Sequence, residues 1–167
     1  EHQCEVPEAP TGFSYVHVDG GAFHSVGLLA PTEPPVLAST TMRNGSGANP
    51  VSLSSSSTPV LGTSWSAELD CAGYQPGVAM LVIRARAKSG VFGPFGEVLS
   101  AGPLLFGETQ AATTAANTFA WSVPNDTALV GLEAHVQGLC RESAPPVNKL
   151  RRARGSWSNA LDLVLGF

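Results

Sequence analysis

The chain has 167 residues, and 9 basic against 13 acidic side chains give a formal net charge of −4 at pH 7. Only 13% of residues are charged, about half the roughly 25% of an ordinary soluble domain, while 43% are hydrophobic. Such a chain is too apolar for wholesale disorder and too poor in Lys and Arg for an obvious nucleic-acid binder. It also lacks the run of about 18 apolar residues that a transmembrane helix needs.

Helix signals are almost absent. Strand signals recur between Gly, Pro, Ser and Asn punctuation. Phe13 to Val18 predicts a strand ending at the turn Asp19-Gly20-Gly21, with Phe23 to Leu29 as its hairpin partner. Beyond Pro31 the chain is Pro-rich, and Arg43 to Pro50 reads as an exposed Gly/Asn loop. The Ser54 to Ser57 run reads as a polar strand edge or linker.

Trp65, Ala67 and Leu69 alternate with Ser64, Ser66 and Glu68, the pattern of a half-buried strand. Gly77 to Ala87 is apolar on both faces in its core, which predicts a central strand. It runs into Arg84, Arg86 and Lys88, whose charges would line one face. Glu97 to Leu99 and Leu104 to Phe106 read as two short strands between Gly and Pro corners. Phe119, Trp121 and Val123 alternate again. Leu132 to Leu139 and Asn159 to Phe167 supply two more strands. The Ala-rich stretch Gln110 to Ala116 is broken by Thr113 and Thr114, which do not favour a helix.

About nine short strands without crossover helices cannot connect a parallel sheet. The expected fold is all-β, an antiparallel β-sandwich of jelly-roll or Ig-like type with an N-terminal β-hairpin and extended arm; a small barrel is the alternative. The expected division is an arm over 1–58 and a sandwich over 59–167.

Glu1-His2-Gln3-Cys4 reads as a processed start, which hints at export. Cys4, Cys71 and Cys140 include no CxxC pair, which argues against a zinc ribbon or redox motif. In an oxidising compartment the simplest pairing is Cys71 with Cys140, since both end likely strands of one domain. Cys4 is then left to cross-link a neighbouring subunit or to pair with one of the others. Three free thiols are the alternative.

Two resemblances rest on these residues. Tyr15 to Leu28, with its Asp19-Gly20-Gly21 turn and His24-Ser25 pair, resembles one repeat of the regulator-of-chromosome-condensation propeller. No second copy follows, and a single propeller blade cannot bury itself, so only a hairpin is implied. Pro59-Val60-Leu61-Gly62-Thr63, Val123 to Leu132 with Gln137, and Ser158 to Gly166 resemble β-rich C-terminal modules of large exported bacterial surface proteins. That resemblance covers residues 59–167. It implies an extracellular setting and a structural or adhesive role, and it carries no catalytic residues across. The basic insert Lys149 to Arg154 and the two cysteines depart from its pattern.

Candidate sites are few. His17, His24 and Asp19 are plausible metal ligands across a hairpin, but unrelated surface histidines are the simpler reading, and no metal or other cofactor is expected. His135 reads as solvated. No G-x-S-x-G elbow is present, and Glu68, Asp70, Glu97, Glu108 and Glu133 are unpaired in sequence, so no enzymatic activity is expected. Trp65 and Trp121 fall on apolar phases and read as core. Partner-binding candidates are Trp157, Tyr74 and the basic residues Lys149, Arg151, Arg152 and Arg154.

The expected function is a non-enzymatic extracellular structural protein, a subunit of a surface filament, pilus-like fibre or sheath. Such an assembly would be a homo-oligomer or polymer built by strand addition between identical subunits. A carbohydrate-binding or adhesive module, with a glycan as partner, is the alternative.

Overall fold

A computed structural model describes residues 7–21, 24–32, 35–143 and 154–167. The expectations for Cys4, Lys149, Arg151 and Arg152 lie outside the described residues. Strand makes up about 60% of the protein and helix 4%, so the all-β class holds, and no sheet closes into a barrel. The chain divides into two compact units, Glu1–Pro35 and Val36–Phe167.

The first unit is an antiparallel hairpin of β1 (Phe13–Gly20) and β2 (Ser25–Pro31). Pairing slips by one residue between Tyr15 and His17, which leaves Val16 as the extra residue of a bulge. Two strands alone have no second layer to cover them, and Val16, Val26 and Leu28 are each more than half exposed.

The second unit is a sandwich. One sheet has the order β3 (Ser39–Arg43), β10 (Gly155–Val164), β9 (Glu133–Glu142), β6 (Gly77–Gly93), β7 (Gly96–Ala111). The other has the order β4 (Leu53–Ser54), β5 (Ser64–Leu69), β8 (Asn117–Ser122). The alternation read in sequence sets their facing sides. Trp65, Ala67, Leu69 and Phe119 are buried against Ala79, Leu81, Ile83, Ala134, Val136, Leu161 and Leu163. A disulfide between Cys71, just after β5, and Cys140 in β9 ties the two sheets together. Under the chain-entropy model, closing a loop of this length contributes about 4 kcal/mol.

Several expectations are corrected. The domain boundary lies at 35/36 instead of 58/59, because residues 36–58 supply β3 and β4 to the sandwich. The two short strands expected at 97–99 and 104–106 are one strand of 16 residues, β7. Its Gly102-Pro103 step reads as a corner but is absorbed by register shifts opposite Arg84 and Arg86. Gly102 takes φ +79°, and the Arg84 guanidinium donates to its carbonyl at 2.9 Å. The 43–50 loop is not simply exposed, since Asn49 is buried. His135 is not solvated but 6% exposed.

The Ser run also has a definite task. Ser57 Oγ accepts from the Ser66 N–H at 2.9 Å, and Ser55 Oγ donates to the Ser66 carbonyl at 2.6 Å. These hydroxyls fill the ladder positions on the β5 edge that the two-residue β4 leaves open.

Candidate functional site

Strand alternation gives the five-stranded sheet a second, outward face. Val136 and Leu161 point into the sandwich, so their neighbours His135, Gln137 and Asp162 point out. The far half of the β6–β7 hairpin folds across that outward face. At its tip the Phe95 carbonyl accepts from the Trp157 N–H at 2.8 Å, and the Phe95 ring lies against Gly155.

Between these layers lies a polar network. Gln137, fully buried, donates to the carbonyls of Glu97 and Ser158 and accepts from the Leu99 N–H at 2.8 Å. Asn49 donates to the same two carbonyls and accepts from the Glu97 N–H. The β10 bulge after Trp157 leaves Ser158 and Asn159 outside the ladder. The Ser158 hydroxyl replaces it on the β9 side by accepting from the Gly138 N–H at 2.9 Å, while the Asn159 amide reaches the β4 segment, accepting from the N–H groups of Ser52 and Leu53 and donating to the Leu53 carbonyl. Every one of these buried polar groups is satisfied, as burial requires.

Charged groups sit at the rim of this layer. Arg43 grips Asp162 through two bonds of 2.6 and 3.0 Å, and its other donors reach the carbonyls of Lys88 and Leu99. His135 Nδ1 lies 2.7 Å from the second Asp162 oxygen. Burial pushes the Asp162 carboxyl up, but the Arg43 guanidinium and His135 outweigh it and hold the group below its ordinary value. Glu97 is also held low, first by the Ser46 hydroxyl, then by the N–H groups of Gly90 and Ser46. Gly45, at φ +45°, lets the loop close over that carboxylate, because a Cβ there would lie 2.7 Å from Glu97 Oε2. An open groove of about 660 Å³ runs beside it, lined among others by Arg43, Ser46, Lys88 and Glu97.

A His–Asp pair acts as a base when a nucleophile lies in reach of the other ring nitrogen. Among the described residues, His135 has no hydroxyl or thiol as a hydrogen-bond partner. Arg43 holds the same carboxylate from the opposite side, so the cluster works as a clamp joining β3, β10 and β9.

The partner-binding candidates separate. The Arg154 guanidinium lies over the Tyr74 ring at 5.9 Å and pairs with Glu142 at 3.3 Å. Trp157, three residues along β10, points to the opposite face, so Tyr74 and Trp157 share no platform. Trp65 is fully buried and Trp121 packs against the core. In the hairpin, His17, Asp19 and His24 line one groove of about 390 Å³ with Val26 and Leu28. Among the described residues, no three such ligands are grouped to hold a metal ion.

The network residues Asn49, Glu97, His135 and Gln137 escape sequence reading. Their partners lie up to 109 residues away, and nothing in the local pattern separates them from surface polar residues.

Proposed function

We propose that this chain, which matches no family model, no curated protein and no solved structure, is a non-enzymatic, extracellular structural subunit, and that copies associate by adding the hairpin of one to a sheet edge of the next. The supporting observation is the hairpin itself. Val16, Val26 and Leu28 stand 57%, 62% and 61% exposed on an element with no core of its own. The low charge of the chain supports the same reading, because it removes the repulsion that keeps sheet edges apart. The disulfide suits an oxidising, extracellular compartment, and the likeness of residues 59–167 to modules of exported bacterial surface proteins points the same way.

Sedimentation and electron microscopy of the purified chain over a range of concentrations test the reading. Ordered oligomers or fibres are expected, and a Val26→Asp/Leu28→Asp variant should stay monomeric. A wild-type protein that remains a monomer at the highest attainable concentration refutes it. Glycan binding through Trp157 is the competing role. Saturable binding on a glycan array that Trp157→Ala abolishes would favour it.

A further inference from the structure

We infer that the acceptor for the hairpin is the outer edge of β3 in a second copy of this chain. The inference rests on the assembly reading above and names the surface it uses.

Hydrogen-bond parity identifies the open groups. Leu165 bonds towards β9, accepting from the Gly131 N–H and donating to the Leu132 carbonyl. In an antiparallel sheet, alternate residues of a middle strand bond to opposite neighbours. Ala160, Asp162 and Val164 therefore bond to β3, where their register partners are Arg43, Thr41 and Ser39. The N–H and C=O groups of Thr40 and Met42 point away from the sheet, and no backbone partner meets them among the described residues.

The three-stranded sheet is less open. Ser55 and Ser57 fill the β5 edge, and the Gln110 side chain donates to the Thr118 carbonyl on β8 at 2.9 Å. On β3, among the described residues, no side chain bonds the main-chain groups of Thr40 or Met42, while the Thr40 hydroxyl itself donates to the Ser57 carbonyl at 3.3 Å. Beside β3 lies a groove of about 250 Å³, lined by Met42, Val51 and Leu53 with Glu68 and Asp70. Met42 and Val51 are 52% and 65% exposed.

The hairpin offers the complement. Val26 and Leu28 alternate along β2, on the face whose groove also carries His17 and His24. A strand added at Thr40 and Met42 turns every second side chain towards the Met42 side of that groove. Apolar side chains would cover Met42 and Val51, and the imidazoles would meet Glu68 and Asp70. Asp19 shares that face, and one oxygen of its carboxylate accepts from the Gly20 N–H at 2.8 Å, as one oxygen of Asp70 accepts from the Ala72 N–H at 3.0 Å.

The test uses the full chain. Met42→Pro removes an N–H that the isolated fold does not use, a position where edge strands accept proline. Met42→Lys places a charge on the same edge and is the second variant should the first fail to fold. Thermal melting identifies the folded variants. Sedimentation equilibrium is expected to show association weakened by about tenfold or more in either folded variant. Hydrogen exchange is expected to slow at Thr40 and Met42 as wild-type concentration rises. Unchanged association in the folded Met42 variants, with loss in Val26→Asp/Leu28→Asp, overturns the β3 edge but leaves the assembly reading standing. A wild-type monomer whose Thr40 and Met42 amides are already protected means closure within one chain and overturns the inference. A wild-type monomer with exposed amides fails the assembly reading and this inference with it.

Discussion

The two faces of β9 and β10 are built from alternate residues of the same strands, yet they are held by different forces. Ala134, Val136, Leu161 and Leu163 bury apolar surface against the three-stranded sheet, where area and fit set the energy. His135, Gln137 and Asp162 meet the other side, where directed hydrogen bonds run beside the buried Leu99. An apolar layer tolerates any filling of the right volume. A buried polar layer accepts one arrangement only, because each missing partner leaves a desolvated group behind. The outer layer therefore fixes where the β6–β7 hairpin and the 43–50 loop come to rest, while the inner layer supplies the bulk of the stability.

The largest effect should come from the inner face. Leu163→Ala empties space at a fully buried position. It should cost about 3 kcal/mol, read as a lower denaturation midpoint, and Leu163→Met should recover most of it. Gln137→Leu makes the opposite experiment on the outer face. The leucine is similar in size and more apolar, yet it removes the acceptor of the Leu99 N–H and a donor to the Glu97 and Ser158 carbonyls. A loss of about 2 kcal/mol is expected. A variant as stable as wild type would show that the two faces obey the same rule, which would break the contrast.

Legibility in the sequence follows the same divide. The inner face announces itself through alternation, as at Trp65, Ala67 and Leu69, because burial against one layer imposes a period of two. The Cys71–Cys140 pairing is legible from placement instead, with Cys71 just after β5 and Cys140 near the end of β9. β9 already hides part of the pattern, as it is buried on both faces from Ala134 to Cys140. The outer layer has no period to read. Glu97 looks like any surface carboxylate until Ser46 and Gly90 close over it. Gly102-Pro103 looks like a strand end because a bulge that absorbs two residues leaves the same local signal as a turn. The boundary at 35/36 was hidden for a related reason. β3 is a short edge strand whose burial depends on its partner β10, more than a hundred residues away.

Acid should sharpen the contrast at a smaller scale. Asp162 and Glu97 are both held below their ordinary values in the folded chain. A carboxylate with a depressed folded pKa contributes stability above its unfolded value, near about 4, and loses it as pH falls through the lower folded value. The wild-type midpoint should therefore drop as the solution is taken from about pH 5 towards pH 2. Asp162→Asn should flatten part of that drop. At pH 7 it should cost about 1 kcal/mol, a reduced figure because the Asp162 side chain is 29% exposed. An equal acid response in both proteins would mean that the Arg43 clamp contributes little.

The smallest expected change in stability lies on the β5 edge, outside both faces. Ser55→Ala with Ser57→Ala removes the hydroxyls that serve the Ser66 N–H and C=O. Water can replace them at a part-exposed position, so the loss should be under about 1 kcal/mol. The consequence for association should be larger than for folding. With its plug removed, β5 presents open main-chain groups beside a short, neutral neighbour, which is the condition under which sheet edges pair between molecules. Light scattering should then show irregular aggregation that Met42→Lys does not suppress. Should Met42→Lys suppress it fully, the serines guard nothing and the β5 edge is closed by other means.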